Sequence, residues 1–240
     1  FIGKSKVPIM NSAGGTEVSG SILHCCLHRP FKVGSFNAPI PGMSADILTL
    51  EGKKVSTDEM GELVMRKSSI GLTKSLWNDD DRYIKNYWSI IKDFWVHGDL
   101  ASKDKDGHWF LHGRSDDTIK VSGKRIGPSE LESVIVKSGK AKEVAAVGIP
   151  DENKGSKIIL SIVLLENSEE KESYFENLVI NDLGKSFKPD KIIFVKDLPK
   201  TRNMKIMRRV IKSCLAKEDP GDISTLLNPE SVEEIRAHAI

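Results

Sequence analysis

Apolar and polar positions follow two rhythms along this chain, and the rhythm changes about midway. In the first half the alternation is mostly two-fold. SADILTLEGKKV (44–55) and MGELVMR (60–66) alternate apolar with polar residues around an EGK turn, which predicts antiparallel strands. Residues 95–101 and 108–113 predict the arms of a hairpin, with DKDG as its turn. Residues 6–20 predict a short strand running into a Gly-rich turn. NDDDRYIKNYWSIIKDF (78–94) predicts a short helix, because Asp79, Asp80 and Asp81 favour a helix N-terminus.

After Pro128 the spacing becomes helical and strand-like in turn. SELESVIVKSG (129–139) carries Leu131, Val134 and Ile135 at helical spacing, with Ser129 as the candidate N-cap. EVAAVGIPD (143–151), KIILSIVLLE (157–166) and PDKIIFVKDLP (189–199) predict buried strands. Residues 169–183 predict a helix whose buried face holds Phe175, Leu178, Val179 and Leu183. Residues 204–217 predict another, with Ile206, Val210, Ile211, Cys214 and Leu215 on a broad apolar face. The tail is turn-rich, then weakly helical. The fold class expected is therefore α+β. A β-rich part over 1–115 precedes a smaller α+β domain over 116–240, with a central sheet flanked by helices. The joint falls near 114–117.

Composition narrows the function classes. The chain has 240 residues, 39% of them hydrophobic and 29% charged, which is ordinary for a globular protein. Basic and acidic residues nearly balance, 36 against 34, for a net charge of +2, so bulk charge does not favour a nucleic-acid partner. Three cysteines without a CxxC spacing argue against a disulfide framework or a structural zinc site, and fit a reducing, cytoplasmic setting. The longest apolar run, IILSIVLL (158–165), is far too short to span a bilayer.

Three stretches could carry chemistry. In VHGDLA (96–101) and HGRSDDTIKVSGKRIGP (112–128), Asp99 and Arg114 sit on facing arms of the hairpin. The carboxylate can accept hydrogen bonds from a ribose diol, and the guanidinium can donate to its oxygens. Gly123 lets a ligand approach the backbone, and Arg125 is a candidate phosphate partner. The bland alternative is a Gly-rich hairpin with a surface ion pair. In NSAGGTEVSG (11–20), Thr16 is free to bond a phosphate oxygen and Glu17 suits Mg²⁺ beside phosphates; the alternative is a tight turn. The third stretch, LPKTRNMKIMRR (198–209), packs five cations into twelve residues. Lys205 falls at or beside the predicted helix start, where backbone N–H groups favour anions, whereas a basic helix face is commonly just solvated.

Taken together, GGTE (14–17), GLTKSLWNDDDRYIKNYW (71–88), HGDLA (97–101), GRSDDTIKVSGKRIGPSELE (113–132), VAAVGIPDENKGSK (144–157) and LPKTRNMKIMRR are similar, in order and spacing, to the acyl-adenylate-forming superfamily. The likeness is strongest to its AMP-forming, acetate-type acyl-CoA synthetases, and GDISTLLNP (221–229) extends it into the tail. The resemblance implies an acid–thiol ligase that uses a carboxylic acid, ATP (leaving AMP), Mg²⁺ and CoA. It implies that Gly15 borders the adenine and acyl pocket, Thr16 contacts the adenylate phosphate and Glu17 holds Mg²⁺. Asp99 and Arg114 would bind the ribose hydroxyls, Asp116 would be the hinge of a mobile C-terminal domain, and Gly123 would line the pantetheine path. Arg125 would approach phosphate, and Lys205 would bridge the attacking carboxylate and the α-phosphate.

The sequence also departs from the family. No stretch matches the Ser/Thr/Gly-rich phosphate loop, so residues 1–115 resemble only the C-terminal part of the large adenylate-binding domain. The expectation is a chain that is inactive alone, or that needs a separately encoded N-terminal half. The alternatives are a non-catalytic nucleotide- or CoA-binding remnant and an adenylation domain serving a carrier protein. Gly14 and Gly15 stand where acetate enzymes often carry Trp, which implies a roomier acyl pocket. Asn203-Met204 replaces the usual Ser-Gly before the lysine, which predicts a loop less free to adopt positive φ.

Overall fold

The computed structural model describes residues 6–240. The chain divides into two compact units, residues 1–115 and 116–240. Among the described residues no helix is long and apolar enough to cross a membrane.

The first unit is built from antiparallel strands. Strand β1 (Ser12–Gly15) pairs with β2 (Gly20–His24), which pairs with the short β3 (Ala38–Pro39). A second sheet has the order β4 (Ala45–Leu48), β5 (Gly61–Met65), β6 (Trp95–Lys103), β7 (Trp109–Arg114). Strand β5 is buried at every position, Gly61 to Met65. Its neighbours explain this: Ile22, Leu23, Ile47, Trp95 and Trp109 join Leu63 and Met65 in one cluster, while Val64 packs with Leu48, Ile91 and Val96. The predicted helix at 78–94 is only one turn, α1 (Asp80–Tyr83), followed by a wider π-type turn over Ile84–Trp88. Asp79 caps α1, its carboxylate accepting from the Arg82 amide at 3.3 Å.

The second unit wraps helices around both faces of a mixed sheet. A hairpin of β8 (Ile119–Val121) and β9 (Lys124–Ile126) leads into α2 (Pro128–Lys137). Then come β10 (Ala141–Asp151), β11 (Gly155–Leu164), α3 (Glu172–Leu183), β12 (Lys191–Phe194), α4 (Arg208–Leu215) and α5 (Glu230–Arg236). Strand β10 runs antiparallel to β11, and β12 parallel to it, with α3 as the crossover that a parallel pair requires. Ile158, Leu160 and Ile162 face α2 and α3 residues such as Leu131, Ile135, Phe175 and Val179. Ile159 and Val163 face Val210, Ile211, Cys214, Val232 and Ile235 of α4 and α5. Most of the run IILSIVLL, up to Leu164, is thus a strand covered on both sides, which removes any need for a polar face. Ser161, in the middle of that run, is fully buried and its hydroxyl has no hydrogen-bond partner among the described residues.

Three expected helix starts shift, one of them that of α3, which begins at Glu172 and not at 169. Helix α2 begins at Pro128 with Gly127 as its N-cap, not at Ser129; Glu130 accepts the Gly127 amide at 3.1 Å, and proline suits the first helical position. The helix expected from residue 204 begins at Arg208. Residues 200–206 instead fold back on themselves through a bridge between Lys200 and Ile206.

Candidate functional site

The first unit gathers Gly15, Glu17, Asp99 and Arg114. Asp99 and Arg114 are register partners across β6 and β7, just before a bulge at Leu100/Ala101. The two arms therefore present both side chains at the same end of the sheet. Arg114 Nη1 lies 3.7 Å from Asp99 Oδ1 and donates to the His97 carbonyl at 3.0 Å. Gly98 is required between them. Its φ is +82°, and a Cβ there would lie 2.7 Å from the Arg114 guanidinium.

His97 and Tyr87 complete the cluster, and neither stood out in the sequence. His97 Nε2 is 3.3 Å from Asp99 Oδ2, while its buried Nδ1 has no partner among the described residues. The Trp95 ring stacks on Tyr87 at 5.3 Å and lies 5.5 Å from the His97 ring. Burial first, then the charge and hydrogen bond of Glu17, push the Tyr87 phenol above its ordinary pKa, so it stays a donor to the Glu17 carboxylate. A signal for His97 did exist in its position two residues before Asp99 on one strand, which puts both on the same face.

Thr16, Glu17 and Val18 form a single 3₁₀ turn rather than a Gly-Gly turn, and the glycines before it are in β1. The Thr73 amide donates to the Glu17 carbonyl at 2.7 Å and fixes this turn against the segment at 71–73. Gly14 is closely packed by the neighbouring strand. A Cβ there would lie 2.0 Å from the Gly20 carbonyl oxygen, so the neighbouring strand already fills that space. A Cβ on Gly15 would meet Glu17 Oε2 and His97 Cε1, each at 3.2 Å.

The remaining candidates lie in the second unit. Asp116 is its first residue. Gly123 (φ +80°) and Ser122 (φ +49°) form the tight turn of the β8–β9 hairpin, and space is open beside Gly123. Arg125 is exposed on β9. Lys205 is also exposed, but it is not at a helix N-terminus. It sits three residues before α4, in a loop where its amide donates to Thr201 Oγ1 at 3.2 Å. The loop keeps a left-handed residue, and Met204 takes it at φ +62°.

The five cations of 198–209 have separate jobs. Lys200 is buried between Glu143 and Asp197, each at 2.7 Å. Burial works against its charge, but the two carboxylates outweigh that and raise its pKa. Arg208, which a solvated helix face would leave free, is clamped by Glu132 through two hydrogen bonds at 2.8 and 2.6 Å. Burial again opposes the charge, and Glu132 with Asp117 more than offsets it. Arg209 donates to the carbonyls of Pro220 and Asp222. Arg202 and Lys205 line an open groove together with Thr201, Asn203, Ser224 and Thr225.

Residues 130–205 match the model of the AMP-binding enzyme C-terminal domain. Over 98% of its length the chain is 39% identical to an acetyl-coenzyme A synthetase of Methanothrix thermoacetophila, of which it covers 37%. It is 38% identical to the acetyl-coenzyme A synthetase of Pasteurella multocida, with 98% of this chain and 38% of that one covered. Among solved structures, the acetoacetyl-CoA synthetase from Streptomyces lividans superposes with a TM-score of 0.83 at 22% identity, over 95% of this chain and 35% of that one. An anthranilate CoA ligase in complex with anthranoyl-AMP gives a TM-score of 0.73 at 27% identity, over 87% of this chain and 40% of that one. The chain spans somewhat over a third of the length of the curated relatives it matches. By its motifs, its fold and these relatives, the chain is similar over nearly its whole length to part of the acetyl-coenzyme A synthetases, and its residues 130–205 match the AMP-binding enzyme C-terminal domain.

Proposed function

We propose that this chain supplies the ribose-binding and lysine-bearing parts of an AMP-forming acyl-CoA synthetase. In that reaction a carboxylate oxygen attacks the α-phosphorus of ATP and pyrophosphate leaves. The CoA thiolate then attacks the acyl carbonyl, and AMP leaves. The observation that carries this reading is the Asp99–Arg114 pair at one sheet end, with Glu17 gathered beside it through Gly15 and His97. A carboxylate held by His97 on one oxygen keeps acceptor capacity for a ribose diol. Relatives named as acetyl-coenzyme A synthetases support an acid–thiol ligase.

Each other residue has a role within this reading. Thr16 contacts the adenylate phosphate, and Gly15 borders the nucleotide and acyl pocket. Glu17 fits Mg²⁺, since one accessible carboxylate suffices for an ion that takes its other ligands from phosphates and water. The ion would neutralise phosphate charge there. Lys205 brings an ammonium to the repelling carboxylate and α-phosphate, where one such contact is worth roughly 10²–10³-fold in rate. Because thioester formation needs that space for CoA, the unit from Asp116 onward turns about Asp116. Gly123 then lies along the pantetheine path, and Arg125 serves phosphate in the adenylating pose.

No stretch of the 240 residues matches a phosphate loop. Adenylation accordingly depends on a half that carries one. Pyrophosphate exchange into ATP tests the reading. The 240 residues by themselves give none, and joining them to such a half restores it. Lys205→Gln then lowers exchange far more than thioester formation from supplied acyl-adenylate. Equal losses in both steps remove the role given to Lys205. Binding of AMP or CoA without exchange in the joined protein supports a non-catalytic module instead.

A further inference from the structure

The loop bearing Lys205 belongs to no strand or helix, so something else must hold its shape. Part of the answer is internal. The Thr201 amide donates to the Lys205 carbonyl at 2.9 Å, the Met204 amide to the Thr201 carbonyl at 2.8 Å, and the Met207 amide to the Pro199 carbonyl at 2.8 Å. Such a closure is still strained, because Met204 has a positive φ that a side chain with a Cβ disfavours by roughly 1–2 kcal/mol. Left-handed residues of this kind persist where the surroundings over-determine them.

The surroundings here are the tail of the chain, from Leu226 to Asn228. Leu226 forms a bridge with Thr201, and the Leu227 amide donates to the Lys200 carbonyl at 2.8 Å. Asn228 is buried and uses its whole amide. Its Oδ1 accepts the Lys200 amide at 3.0 Å. Its Nδ2 donates to Asp197 Oδ2 at 2.6 Å and to the Leu198 carbonyl at 2.8 Å. Asp197, through its other oxygen, holds the Lys200 ammonium, which Glu143 of β10 holds from the sheet side. A chain of contacts thus runs from the central sheet through Lys200 and Asn228 to both ends of the Lys205 loop.

We propose that the tail segment 226–228 acts as an added strand that clamps the Lys205 loop, and that Asn228 is a positioning residue for Lys205. The inference rests on the reading of Lys205 given above and adds to it the group that sets where the lysine starts. A lysine side chain is long and mobile, so its reach is defined only if its Cα is fixed. The tail fixes it without touching the ammonium.

Amide hydrogen exchange on the full chain, resolved by residue, tests the clamp. In Asn228→Ala, exchange at Thr201, Met204 and Met207 should quicken about tenfold or more, while Val210, Ile211 and Leu160 keep their protection. Asn228→Asp alone should do the same, because a second carboxylate would face Asp197. The reciprocal pair, Asn228→Asp with Asp197→Asn, should restore protection by reversing donor and acceptor, a rescue that mere packing would not give. Should Asn228→Ala fail to fold, Asn228→Ser provides the same comparison with a smaller loss. Unchanged exchange in the loop, or an equal rise throughout the second unit, overturns the clamp. In the protein joined to a phosphate-loop half, Asn228→Ala should lower pyrophosphate exchange and spare thioester formation from acyl-adenylate. Undiminished exchange in Lys205→Ala would instead refute the role of Lys205, by a measurement separate from the clamp.

Discussion

The two units bury their sheets in different ways. In the second, helices cover both faces of β11, and its exposed large apolar residues, such as Met204 and Leu227, reach only 57% exposure among the described residues. In the first, Ile9, Val33, Ile70 and Trp77 are 88 to 108% exposed, although β5 is wholly buried. The first unit gathers its candidate groups at one end of a hydrogen-bonded hairpin. The second puts its lysine on a loop strapped to a closed core. The comparison teaches that a finished core and a finished site are separate achievements: the first unit has the fuller cluster of candidate groups and the less complete cover.

The largest expected effect would come from separating the units. Residues 116–240 alone should unfold in one cooperative thermal transition, since their core residues pack among themselves. Residues 1–115 alone should melt broadly or bind a dye for exposed apolar surface. A sharp transition for the first unit alone would break the comparison.

Next in size is the ion pair inside the second unit. Glu132 holds Arg208 in two bonds and also accepts the Ala146 amide at 2.9 Å, so it ties α4 and β10 to α2. Glu132→Ala removes both bonds from a half-buried guanidinium, with Asp117 as the remaining carboxylate near it, and should cost about 3 kcal/mol in urea unfolding of that unit. A loss below about 1 kcal/mol would place Arg208 with the solvated cations after all.

Smaller effects sharpen the contrast between core and loop. Ser161→Ala removes a buried hydroxyl that has no partner among the described residues, and should raise stability by about 1 kcal/mol. Met204→Gly should stabilise by about 0.5–1 kcal/mol, as it relieves the left-handed residue at little loss of packing. A destabilised Met204→Gly would mean that Met204 makes a contact worth more than its strain.

The smallest effect is in pH. Despite burial, Lys200, the Leu198 amide and Asn228 together hold the Asp197 carboxyl below its ordinary 3.8, and Lys200 is held above its ordinary 10.5. Asp197 thus contributes stability that is present above 3.8 and lost as pH falls through its lower folded value. Lys200 contributes stability that is present below 10.5 and lost as pH rises through its higher folded value. The contribution of this pair to the melting temperature of the second unit should be flat between these limits and fall outside them. Asp197→Asn should shrink the acid limb and also weaken the alkaline one, because Asp197 is one of the two carboxylates that raise Lys200.

Much of this was legible in the chain itself. Strand alternation at 44–66, the hairpin at 95–113, the helical faces of Leu131 and Phe175 and the doubly apolar 158–165 all followed from period and length, because burial sets those patterns residue by residue. Motif spacing singled out Asp99, Arg114, Glu17 and Lys205 before any geometry. Other features depended on partners distant in sequence. Arg208 meets Glu132 from 76 residues away, and Asn228 reaches Asp197 from 31 residues away. No local rule marks such pairs, so the four cations of 198–209 other than Lys205 looked alike until three of them had partners. Nothing local marked Gly14 as closely packed by Gly20 of the next strand. His97 looked like a strand residue until its ring was found against Asp99. The sequence by itself determined the class of fold and the residues able to do chemistry, because these rest on periodicity and spacing, and its motifs carried the family resemblance. Only the tertiary structure decided which charges are spent on holding the molecule together and which remain to meet a ligand, because that depends on burial and on contacts between distant residues.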